Sequence, residues 1–171
     1  NRVWVYDEYP RDQMFHKIQS TTLKINDFVT IIRNQEGQDN VTRRLIDRRY
    51  GMRRSVMSGK TIQEDLMGYN LYYEPSYDDT EGGIEAGHIA VKEFLGRQDE
   101  EPRIFVMEHC KNHIYGFTHY TYDTKTGKPR EDSKDFMDLI RYLAKDNPRY
   151  DLWAGAQKQD KHYFGPSGYG E

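Results

Sequence analysis

Three carboxylates stand just past apolar, strand-like segments: Glu8 after residues 2–6, Asp47 after 41–46 and Glu108 after 103–107. The carboxyl ends of strands are where open α/β sheets place their ligands. Acids gathered from separate strands repel one another, so a true cluster is stable mainly where cations fill it. Oxygen donors of this kind suit Mg²⁺ or Mn²⁺, and two such ions about 3.5–4 Å apart can clamp a phosphodiester during in-line displacement. The same pattern also arises when acids simply end strands and solvate the turns that follow.

A second concentration surrounds Asp47. Arg43, Arg44, Arg48, Arg49, Arg53 and Arg54 put six arginines into twelve residues of a chain whose formal net charge is −3. Arginine matches phosphate in a bidentate fork, so a nucleic-acid backbone is a natural partner. A solvated loop paired with the surplus acids is the alternative.

A third group lies on the last amphipathic segment. Phe136, Leu139, Ile140, Leu143 and Ala144 keep the i, i+3, i+4, i+7, i+8 spacing of a helix buried on one side. At about 100° per residue, Asp135 falls at the edge of that buried stripe and Asp138 points away from it. Asp135 could reach a carboxylate cluster, or could serve only the helix N-terminus. Asp138 reads as a solvated acid.

Other patterns fail. Ser58-Gly59-Lys60-Thr61 ends like a phosphate-binding loop, but Arg54 stands where that motif needs glycine. The six histidines never take a metalloprotease spacing. The lone Cys110 excludes an internal disulfide framework and any multi-cysteine zinc site, and reads as structural rather than nucleophilic.

Positioning such groups takes a framework of alternating strands and helices. Residues 2–6 alternate and are β-branched or aromatic, and Pro10 ends that strand. A helix is expected from about residue 22 to 32, a short strand over 41–46, and a short helix over 61–67 stopped by Gly68. A strand over 70–74, a helix over 84–95 and a strand over 103–107 follow. Residues 114–122 are ambiguous between helix and strand, and the last helix spans about 133–145 before Pro148. Strands alternating with helices indicate an α/β domain over residues 1–150. Residues 151–171, rich in Gly and poor in core pattern, read as a flexible or partner-docking tail.

Composition bounds the class. With 36% hydrophobic residues, 31% charged residues and 14 tyrosines, the chain reads as a single intracellular domain with a wet, tyrosine-rich surface. No apolar run approaches the roughly 20 residues of a membrane span, so no membrane partner is expected. The chain enters a strand pattern almost at once from Asn1, which reads as a domain or fragment of something longer.

The order of these pieces resembles the nuclease domain of tailed-phage large terminase subunits. The likeness is carried by Val5-Tyr6-Asp7-Glu8-Tyr9-Pro10, Leu45-Ile46-Asp47, Ser58-Gly59-Lys60-Thr61-Ile62 and Asp135-Phe136-Met137-Asp138-Leu139-Ile140-Arg141-Tyr142-Leu143. It spans roughly residues 2–145, and Arg141-Tyr142 is its most specific part. It implies an RNase H-like fold, with a central mixed sheet flanked by helices. It also implies a metal-dependent endonuclease that cuts concatemeric double-stranded DNA during viral packaging in the host cytoplasm. Family nucleases gather three acids around two Mg²⁺ or Mn²⁺ ions. By position, Asp47 matches the second and Asp135 the third, with Asp138 and Asp132 as other candidates. Lys134 stands where the family places an aspartate four residues before Asp138. Residues 3–6 resemble the third strand, so the resemblance puts the first strand and its acid before Asn1. Implied partners are the terminase ATPase domain of the parent chain, the portal and the small terminase subunit. Two alternatives are a non-catalytic docking module of the packaging machinery and another RNase H-like nuclease such as a junction resolvase.

Overall fold

A computed structural model of the chain describes residues 2–17, 23–56, 58–76, 83–96, 98–127 and 129–148. The expected tail at 151–171 lies outside the described residues, as does the side chain of Asp132. The order is β1 (Val3–Val5), a 3-10 turn (Phe15–Lys17), α1 (Ile25–Glu36), β2 (Leu45–Ile46), α2 (Arg48–Gly51) and α3 (Ile62–Met67). Then come β3 (Glu74–Pro75), α4 (Gly83–Leu95), β4 (Ile104–Val106), α5 (Lys111–His119) and α6 (Glu131–Asp146). This is an α/β chain, as the alternating pattern predicts.

The described strands form two separate parallel pairs. β1 pairs with β4, with Val3 opposite Ile104 and Val5 opposite Val106. β2 pairs with β3, with Leu45 opposite Glu74 and Ile46 opposite Pro75. Proline is tolerated at Pro75 because Glu74 and Ser76 donate to the Arg44 and Ile46 carbonyls, at 2.8 and 2.7 Å. Alternation points the nitrogen between them away from β2, so no ladder bond is lost.

Each pair anchors its own core. The first core joins Val91 and Phe94 of α4, Ile104 of β4, and Met137, Ile140 and Ala144 of α6, with Val3 and Val5 packed against them. The alternation of residues 2–6 thus works as read: the two valines face the helices, while Trp4 faces outward and stacks on Phe105 with centroids 4.6 Å apart. The second core joins Val29 of α1, Leu66 of α3 and Leu71, with Ile46 and Ile62 beside them.

Local signals set the helix ends. Thr61 caps α3, accepting from the Glu64 amide at 3.2 Å while Glu64 accepts from the Thr61 amide at 2.7 Å, a reciprocal capping box. The ambiguous aromatic stretch resolves as α5, which begins earlier than its apolar residues suggest. α6 carries the expected stripe, but Leu139 is 53% exposed and borders open space rather than core.

α4 and α6 approach closely where Gly87 faces Arg141. A Cβ at Gly87 would lie 2.2 Å from Arg141 Cγ and 2.4 Å from Cδ, and Arg141 is only 2% exposed. Gly87→Ala should therefore destabilise the protein by about 1–3 kcal/mol of overpacking. That exceeds the ~1 kcal/mol of helix propensity it gains. A thermal melt with an unchanged or higher Tm would contradict this packing.

Candidate functional site

A cleft of about 850 Å³ lies between the two halves of the chain. It runs past the carboxyl ends of β1 and β2 and is walled by α6. Asp7 and Glu8 enter it from β1, Asp47 from β2, His113 from α5, and Leu139, Tyr142 and Asp146 from α6.

Each of these acids is held in its own way. Asp47 caps the short α2, accepting from the Tyr50 amide at 2.7 Å, and its other oxygen accepts from the Tyr142 hydroxyl. Asp7 takes the Arg11 guanidinium in a two-point contact and accepts from Gln35 Nε2 at 3.3 Å. The Arg11 contact holds the Asp7 carboxyl below its ordinary range, against the opposing effect of burial. Asp146 pairs with Arg43, which also forks onto Glu74 at 2.7 and 2.9 Å.

Glu8 is the most buried acid, with its side chain fully enclosed. Its carboxylate sits on the first turn of α5, whose opening amides have no partner within the helix. One oxygen accepts from the Asn112 amide at 2.8 Å and the Asn112 side chain at 2.9 Å. The other accepts from the His113 amide at 3.0 Å and bonds His113 Nδ1 at 2.9 Å. Burial alone would raise the Glu8 pKa, but this ring of donors lowers it. Burial likewise lowers the His113 pKa, against the opposing pull of Glu8. The pair is therefore a carboxylate beside a neutral imidazole. An ionised acceptor fixes the tautomer, so Nδ1 carries the proton and donates it.

His113 Nε2 makes no hydrogen bond among the described residues, and the ring lines the cleft. Phe136 meets that ring edge-on, with centroids 4.8 Å apart. No local sequence signal marks this histidine: its partner lies 105 residues away.

The expected site acids are divided. Asp47 lines the cleft, as a strand-end acid should. Asp135 is exposed on the early part of α6 and is not among the cleft-lining residues. It precedes Tyr142 by two turns, about 10 Å along the helix axis. Asp138 is half-buried and accepts from Arg141 at 3.0 Å. Glu108 is exposed in the turn after β4. Among the described residues, no group of three His, Cys, Asp or Glu side chains is arranged to hold one ion. Asp47 is bonded at both oxygens and Asp7 is forked by Arg11, so in this arrangement the acids are not gathered into the expected two-ion cluster.

The arginines are also divided. Arg43 and Arg44 are drawn to acids, the latter forked onto Glu36 with both contacts at 2.6 Å. Arg48 and Arg49 stand exposed on α2. Arg53 and Arg54 line a second concavity of about 600 Å³ beside α1 and α3. Cys110 is fully buried beside the start of α5, and burial raises its pKa, which suits a packing role.

No helix among the described residues is long and apolar enough to cross a membrane. No protein-family model, curated protein or solved structure matches this chain.

The Glu8 cluster has a testable pH signature. A lowered folded pKa gives stability that is complete above the unfolded value and lost as pH falls through the folded one. His113 therefore withdraws stability as pH drops below 6.5, and Glu8 as it drops below 4.5. Glu8→Gln should lower stability at pH 7 by roughly 1–3 kcal/mol, because donors are left unpaired. It should also flatten the decline below pH 4.5. Urea melts from pH 7 to pH 3 measure both; an unchanged acid limb would contradict the assignment.

Proposed function

We propose that the chain is the nuclease-type, RNase H-like domain of a tailed-phage large terminase subunit, acting on double-stranded DNA. The observation that carries this reading is the position of Asp47. It ends a strand of a parallel pair, lines the main cleft with Asp7 and Glu8, and is bonded by Tyr142 from the Arg141-Tyr142 segment. Two pieces that suggested the family from sequence, Leu45-Ile46-Asp47 and the segment around Arg141-Tyr142, therefore touch in space. Nothing local in the sequence requires residues 95 positions apart to meet.

On this reading the exposed arginines of α2 and the following loop take the phosphate backbone. Such binding is weakly sequence-specific and steeply salt-dependent. A Mg²⁺ or Mn²⁺ requirement belongs to the same proposal and has its own test. Calorimetry with Mn²⁺ should give saturable binding that Asp47→Asn abolishes. A flat titration would favour the second reading, a docking module of the packaging machinery. What supports that alternative is the outward face of β1, where Trp4 and Tyr6 are 54% and 58% exposed. Tyrosine and tryptophan are enriched at interfaces.

Replacing both Arg49 and Arg53 with alanine should weaken duplex binding in low salt by about tenfold and reduce the log–log salt slope by about 2. Fluorescence anisotropy with a labelled duplex reads both quantities. Unchanged affinity and slope would remove this surface from the DNA path.

A further inference from the structure

We propose that His113 is a catalytic residue of the cleft, the group whose Nε2 takes the proton from the water that attacks a bound phosphodiester. The proposal rests on the nuclease reading and adds to it a residue that neither the strand-end acids nor the arginine run points to.

Three observations converge on it. The imidazole is buried, at 7% exposure, yet it lines the cleft with one nitrogen unpartnered among the described residues. A histidine kept only for packing or capping would need no access to the cleft. Its Nδ1 is fixed on a carboxylate that cannot turn away, because Glu8 is held at once by two amides and the Asn112 side chain. The Nε2 lone pair is thereby aimed in one direction, and Phe136 pins the ring from the side. This is the geometry by which a carboxylate–histidine pair works as a general base: the carboxylate orients the ring and stabilises the imidazolium that forms.

The step balances with no further reagent. A water O–H proton passes to Nε2 while the oxygen's electron pair forms a new bond to phosphorus. The bond from phosphorus to the leaving sugar oxygen breaks, and that oxygen takes its proton from the imidazolium or from solvent. The products are a phosphomonoester and a free hydroxyl.

The neighbouring groups leave His113 the proton acceptor of this wall. On β1, Glu8 is saturated with donors and Asp7 is forked by Arg11. Across the cleft Asp47 accepts from Tyr142, and Asp146 is paired with Arg43. Tyr9 lines the same wall. From α6 the ring meets Phe136, which carries no charge. Protonation of His113 should therefore set the acid limb of the reaction.

The decisive variant is His113→Asn. Its amide nitrogen replaces Nδ1 as donor to Glu8, so the α5 anchor survives while Nε2 is removed. With the full chain and supercoiled plasmid, it should melt like the unaltered protein and bind duplex within about twofold. It should cut about 10²–10⁴-fold more slowly at pH 7 and lose the acid limb of the pH–rate profile. A variant that cuts at the original rate with the acid limb intact overturns the role of His113 and leaves the nuclease reading standing. An unaltered chain that neither binds nor cuts duplex overturns both. Should the variant fail to fold, ¹⁵N-histidine spectra of the unaltered chain decide. A protonated Nδ1, a bare Nε2 at pH 7 and an Nε2 shift on adding duplex support the proposal. A protonated Nε2, or no shift, overturns it.

Discussion

The carboxylate of Glu8 on the first turn of α5 is the contact on which the arrangement of this protein depends. Enclosing an anion in a protein interior is expensive unless its lone pairs are satisfied. Here the amides of Asn112 and His113, with both their side chains, satisfy them. Those amides are among the ones a helix cannot bond internally, and the positive end of the helix dipole favours the charge. A single interaction thus closes two deficits. It also ties the end of β1 to the start of α5, more than 100 residues later in the chain. α5 packs on α6, and α6 carries Tyr142 to Asp47 on the other half. The geometry of the cleft follows from that anchor.

Adjacent acids at one strand end therefore do different work. Glu8 is committed to the framework and cannot also be a freely available ligand. Asp7 stays near the surface with Arg11. The sequence pattern of an acid after a strand does not distinguish the two, because the deciding partners come from α5 and from a turn. Local pattern locates the end of a strand. It does not say whether that end is anchored or open.

The same physics explains what was legible beforehand. Elements with their own local signals are readable: the alternation of β1, the stripe of α6, the short helix that Gly68 stops and the strand ending at Asp47. Each depends on neighbours within a few residues. α5 was ambiguous because its cap comes from Glu8 and not from an adjacent Ser or Asp, and because its run of aromatics has neither clean period. The arginine run showed a real charge asymmetry, but its first two members answer to Glu36, Glu74 and Asp146, which only the fold brings near. Helical angle puts Asp135 at the boundary of the buried face, and the structure leaves it exposed. Angle says which side of a helix a residue takes, and nothing about how far along the axis a neighbouring element extends. His113 carried no local signal at all.

A chain with more acids than bases need not present a strongly negative cleft. Four carboxylates face it, but each is matched: Asp7 by Arg11, Asp146 by Arg43, Glu8 by the start of α5 and Asp47 by a phenol and an amide. Charges so paired cast a weak field beyond a Debye length of roughly 8 Å at physiological salt. The basic residues Arg48, Arg49, Arg53 and Arg54 are exposed on α2 and the loop after it, where their field reaches solvent. Net charge is a sum over the molecule, whereas an approaching phosphate samples the local surface first. The neutral imidazole of His113 fits the same pattern, since it offers the cleft a proton acceptor without adding another negative charge.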